Sequence, residues 1–121
     1  YEAMGEIAKA LAHPTRVRIL ELLSVDEACV CHLTHILDKR QAYVSQQLSV
    51  LREAGLVDMR REGQMIYYRL ADARVAGVLS LLKDVALGVN PELRYDPVPR
   101  VPVAGCPCPK CSEADACCCT D

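Results

Sequence analysis

Two adjoining stretches of the chain follow different hydrophobic periods. In "QAYVSQQLSVLREAGL" (41–56), Val44, Leu48 and Leu51 recur at the three-to-four-residue spacing of one helix face. In "VDMRREGQMIYYRL" (57–70), Ile66, Tyr68 and Leu70 alternate with Met65, Tyr67 and Arg69, which is the two-residue period of a strand. No single element satisfies both. The first stretch is expected to be a helix that stops at Gly55. The second is expected to be a hairpin of two short strands, with its turn at "EGQ". A helix that runs straight into a hairpin excludes pure helical bundles and parallel sheets.

The flanking segments complete the architecture. Ala3, Ile7, Ala10 and Leu11 share a helical face and predict a first helix over about 3–12. In "HPTRVRILELL", Pro14 suits a first helical turn, where a missing N–H costs nothing, and Val17, Leu20 and Leu23 lie near one face. His13 is read as a helix-start residue. "ACVCHLTHIL" (28–37) is expected to be a third helix, with Leu33, Ile36 and Leu37 as its apolar contacts, and "DKRQ" is a polar turn before the fourth. Asp72 can cap a last helix, in which Val75, Val78, Leu79, Leu82, Val85 and Ala86 form a long apolar stripe. The fold class is therefore α+β, mostly α: a winged helix-turn-helix in which the third helix supports and the fourth reads DNA.

Six of the seven prolines stand at or after Pro91, a density that helices and central strands do not tolerate. Residues 1–90 are expected to form a DNA-binding and dimerisation domain, and 91–121 a Pro/Cys-rich tail. The chain has five Tyr and neither Trp nor Phe, so its core must be aliphatic. The first and last helices carry more apolar surface than so small a domain can cover, which predicts a homodimer. No apolar run approaches the roughly 20 residues of a membrane span. No secretory signal pattern is visible either, so a cytoplasmic protein without membrane contact is expected.

The formal net charge is −2, which by itself does not suggest a nucleic-acid partner. Phosphates respond to the local patch, however, and residues 39–61 set Lys39, Arg40, Arg52, Arg60 and Arg61 against Glu53 and Asp58. The fourth helix offers Gln41, Tyr43, Ser45, Gln46 and Gln47, assigned to its exposed side. Gln can bond adenine through two hydrogen bonds in the major groove, and Ser or Tyr can reach bases or phosphates. Arg60 and Arg61, placed at the wing tip, suit phosphate or minor-groove contact. Taken alone, such a helix face is an ordinary solvated surface. Beside a turn, a hairpin and a basic wing, it predicts contact with double-stranded operator DNA.

Eight cysteines are many for this length, and six of them fall in the last sixteen residues. That clustering argues for metal or thiol chemistry over a stapled core. Cys29 and Cys31 stand two apart; on a regular helix they would point about 200° from each other. They can grip one ion only if the helix start is irregular. A helix N-terminus favours thiolates, because unpaired N–H groups stabilise negative charge there. Ligation and distortion of the supporting helix are then linked.

"LAHPTRVRIL", "CVCHL", "VSQQLSVLREAGLV" and "RREGQMIYYRL", in this order, resemble the ArsR/SmtB family of metal-responsive repressors over roughly residues 3–88. The resemblance implies a dimeric winged helix that binds its operator when metal-free and leaves it when metal binds, derepressing resistance genes. The "CVC" is similar to the thiolate site of arsenic-, cadmium- and lead-sensing members. Two departures stand out. The third cysteine of the best-known arsenic pattern is replaced by Thr34, and the last-helix zinc ligands have only Asp72, with Arg74, Val85 and Gly88 at the other positions.

Two sulfurs leave a soft ion incomplete, since As(III) needs three and Cd(II), Pb(II) or Zn(II) three or four. The tail supplies Cys106, Cys108 and Cys111 in "CPCPKC", which are expected to complete the site, within or between subunits. Cys117, Cys118, Cys119 and His35 form a second tier of candidate ligands. Cd(II), Pb(II) or As(III) is the expected ion, with Zn(II) or Hg(II) as further candidates. Cys29 and Cys31 could instead be small buried hydrophobes, and the tail a terminus without a specific role. Two other readings stay open: a thiol redox or persulfide sensor of the same fold, and a metal-sequestering protein. No catalytic acid/base pair or nucleotide loop points to an enzyme.

Overall fold

The computed structural model describes residues 1–98. Their order is α1 Glu2–Leu11, α2 Pro14–Val25, β1 Ala28–Cys29, α3 Val30–Leu37, α4 Gln41–Glu53, β2 Val57–Glu62, β3 Met65–Leu70 and α5 Arg74–Val89. The helix-turn-helix and hairpin stand where the two periods place them. The expected two-stranded wing gains a third strand. β1 pairs antiparallel with β3, giving the sheet order β1-β3-β2.

Local chemistry sets the boundaries. Pro14 opens α2, and the His13 ring Nδ1 accepts the Thr15 N–H at 3.2 Å. At the end of α4, Gly55 adopts φ +82°, a left-handed conformation that only glycine takes without strain. Gly55 N–H then donates to Arg52 O at 3.0 Å and Leu56 N–H to Leu51 O at 3.0 Å. This reciprocal pair satisfies carbonyls left open by the helix end and turns the chain into β2. The wing turn relies on Gly63 at φ +62°. Before α5, Asp72 Oδ1 accepts the Arg74 N–H at 2.8 Å. The Arg74 guanidinium, with that N–H, holds the Asp72 carboxyl down at about 2.

The core is aliphatic. Ile19 and Leu20 of α2, Leu33 of α3, and Val44, Leu48 and Leu51 of α4 are fully buried, with Val57 closing the base of the wing. On α5 only Val75 and Leu79 of the apolar stripe are buried; Val78, Leu82 and Val85 face outward, as do Met4 and Ile7 on α1. Beyond α5 the chain folds back across α2. Arg18 donates to the carbonyls of Asp96 at 3.1 Å and Pro97 at 2.9 Å. Lys83 pairs with Glu21 and lies 4.7 Å from the Tyr95 ring centre. The first residues of the expected tail are therefore held against α2 as far as Val98.

Candidate nucleic-acid interface and thiolate pair

The stretch 28–37 is not one helix. Ala28 and Cys29 form β1, and Cys29 is the extended N-cap residue of α3, with φ −85° and ψ 167°. The break removes the divergence that a regular helix would impose. Cys29 Sγ and Cys31 Sγ stand 3.4 Å apart, both buried. A tetrahedral ion with Zn–S bonds of 2.3 Å would hold two sulfurs about 3.8 Å apart. With Cys31 reduced, the two sulfurs would need only a small adjustment to suit one ion. Cys31 is disulfide-bonded, and Cys29 is not.

The surrounding side chains do not extend this pair into a full site. Thr34 Oγ1 donates to Cys31 O at 2.7 Å, and His35 Nδ1 meets the same carbonyl at 2.7 Å. The His35 ring is thereby tied to the backbone of α3. His32 is buried. Among the described residues no group of three His, Cys, Asp or Glu side chains could hold an ion. Cys106, Cys108, Cys111, Cys117, Cys118 and Cys119 lie outside the described residues.

The polar residues of α4 divide by position. Gln41 and Gln46 are exposed, and Ser45 is half-buried. Tyr43 is half-buried; its hydroxyl donates to Thr15 Oγ1 at 3.3 Å and lies 3.5 Å from His13 Nε2. Gln47 corrects the assignment to the exposed side. It is only 8% exposed, because it sits three residues after Val44 and four before Leu51, on the buried face. Its Oε1 is buried without a hydrogen-bond partner. Exposed cations flank the helix at Lys39, Arg40 and Arg52.

The wing arginines also divide. Arg61 is exposed. Arg60 is instead engaged within the molecule. Its Nε donates to Glu27 Oε2 at 3.0 Å, its Nη2 pairs with Glu27 Oε1, and its Nη1 reaches Glu62 Oε2 at 3.0 Å. The guanidinium lies 4.9 Å from the Tyr67 ring centre. Hydrogen bonding to Glu27, then to Glu62, raises the Arg60 pKa further. Glu27 is the residue that sequence reasoning passed over. It stands 33 positions from Arg60, and no periodic pattern marks such a pair.

Comparison with known proteins adds a lineage. Residues 13–59 match the model of the family described as bacterial regulatory protein, arsR family. The chain is 47% identical over 76 residues to the biofilm growth-associated repressor of Agrobacterium fabrum, covering 63% of this chain and 65% of that one. It is 44% identical over 80 residues to the arsenic resistance transcriptional regulator ArsR1 of Pseudomonas putida, covering 65% of this chain and 62% of the relative. The chain thus spans just under two thirds of the length of these two relatives. Among solved structures, it is similar to a homodimeric winged helix-turn-helix DNA-binding domain from Mycobacterium bovis, described as a possible ArsR-family transcriptional regulator. That match has a TM-score of 0.69 and 31% identity, covering 78% of this chain and 89% of that one.

Proposed function

Because the chain belongs to the arsR family of bacterial regulatory proteins, a family of DNA-binding regulators and not of enzymes, we propose that it is a homodimeric repressor released from its operator by a soft thiophilic ion. The observation that carries this reading is the convergence of the Cys29 and Cys31 sulfurs at 3.4 Å, at the break between β1 and α3. α3 packs directly on α4, so a change of geometry at the thiolates reaches the reading helix. Gln41, Ser45 and Gln46 would face base edges, while Lys39, Arg40, Arg52 and Arg61 would neutralise phosphates. The outward apolar faces of α1 and α5 supply the dimer contact. No helix among the described residues is long and apolar enough to cross a membrane.

The residues fit the ion in type but not in number. Buried thiolates suit Cd(II), Pb(II) or As(III), and both cysteines must be reduced to bind. The missing donors are assigned to Cys106, Cys108 and Cys111. At no more than about 3.5 Å per residue, Cys106 lies within about 28 Å of Val98, whose segment is anchored on α2. A second reading is a thiol redox sensor of the same fold, favoured by the disulfide bond of Cys31.

The test uses DNA selected from random sequence by the reduced, metal-free protein. Cadmium, lead or arsenite is expected to release the labelled DNA by about 100-fold, a usual allosteric range. Release by oxidants alone, with no response to any of these ions in reductant, would favour the redox reading.

A further inference from the structure

Cys29, Tyr67 and Arg60 form one row across the three-stranded sheet: Cys29 is registered against Tyr67, and Tyr67 against Arg60. Directly opposed residues project to the same face of a sheet. Cys29 and Tyr67 are buried on that face. Arg60 lies over the Tyr67 ring and grips the carboxylate of Glu27, two residues before Cys29. The ion pair therefore reaches over β3 and ties the thiolate strand to the outer strand of the wing. β1 has only two residues, Ala28 and Cys29, registered against Tyr68 and Tyr67 of β3.

Resting on the proposed metal reading, we infer that the Glu27–Arg60 pair is the link by which ligation at Cys29 moves the wing. Spreading the two sulfurs from 3.4 Å towards the spacing of a bound ion displaces β1. Glu27 moves with it, and the two-pronged grip on Arg60 carries that shift to β2. Glu27 is a positioning residue in this scheme, acting on the wing through Arg60 and not on the ion. Arg60 is correspondingly a coupling residue and not primarily a phosphate contact. A planar guanidinium stacked on an aromatic ring and bonded twice to one carboxylate is a role that lysine does not reproduce.

The experiment compares the reduced full chain with its Glu27→Gln and Arg60→Lys variants. Three quantities are read: affinity for the selected DNA without metal, cadmium affinity from thiolate-to-cadmium ultraviolet absorbance, and the loss of DNA affinity when cadmium is saturating. Both variants are expected to keep the first two close to the wild type. The cadmium-induced loss should fall from about 100-fold to below about 10-fold in each, within the range over which allosteric coupling varies. Wild-type release in Glu27→Gln would overturn the inference and leave the metal reading standing. So would a collapse of cadmium affinity in that variant, since Glu27 would then act on the thiolate site itself. A wild-type chain that binds cadmium but never releases DNA would overturn both.

Discussion

Replacing Cys29 or Cys31 with alanine is expected to abolish cadmium-induced release while the metal-free protein still binds its DNA. Both side chains are buried, at 1% and 3% exposure, and neither lies on the reading face of α4. The wild-type response of about 100-fold corresponds to about 2.7 kcal/mol of coupling. That energy can come only from contacts the ion makes better in the released state than in the DNA-bound one. Removing one of two converging sulfurs takes away the contact that distorts the β1–α3 break. Alanine is preferred to serine, because a hydroxyl left buried without a partner costs about 1–3 kcal/mol and confuses loss of sensing with loss of stability. The check is DNA affinity with and without cadmium for each variant. Release that persists in both would place the sensor elsewhere in the chain.

The second large effect concerns the tail. Ending the chain after Gly105 removes six of the eight cysteines and leaves all described residues in place. Metal-free DNA binding is expected to persist. Cadmium affinity should fall by more than about 100-fold, beyond the 10–100-fold lost when only an outer-shell partner of a metal ligand is removed. A Cys106→Ser, Cys108→Ser, Cys111→Ser variant should behave like the truncation, because "CPCPKC" stands nearest to the anchored Val98. Cys117, Cys118 and Cys119 should matter less. Titration of thiolate-to-cadmium absorbance decides the point. Equal affinities in the full chain and both variants would remove the tail from the sensor.

The parts of the fold governed by periodicity were readable in the residues. Val44, Leu48 and Leu51 are fully buried on α4, and the turn from helix to strand falls at Gly55. β1 was not readable. Two residues carry no period, and they form a strand only because β3 offers Tyr67 and Tyr68 as partners. The irregular start of α3, which was expected only on condition that Cys29 and Cys31 grip one ion, takes the form of that strand. Gln47 shows the opposite difficulty. Its polarity suggested the exposed face, but its spacing from Val44 and Leu51 decided its side. Arg60 was legible as a wing cation, whereas its ties to Glu27 and Tyr67 depend on the register of three strands. The surplus apolar residues of α1 and α5 were legible as well, and their outward faces are not completely covered by any described segment.

Coupling between thiolates and DNA must be reciprocal: if the ion weakens DNA binding, DNA must weaken ion binding by the same factor. The most direct test is therefore the cadmium affinity of the reduced full chain, measured once free and once saturated with its selected DNA. That affinity is expected to be about 100-fold lower on DNA, matching the release factor. Equal cadmium affinity in the two states would contradict it.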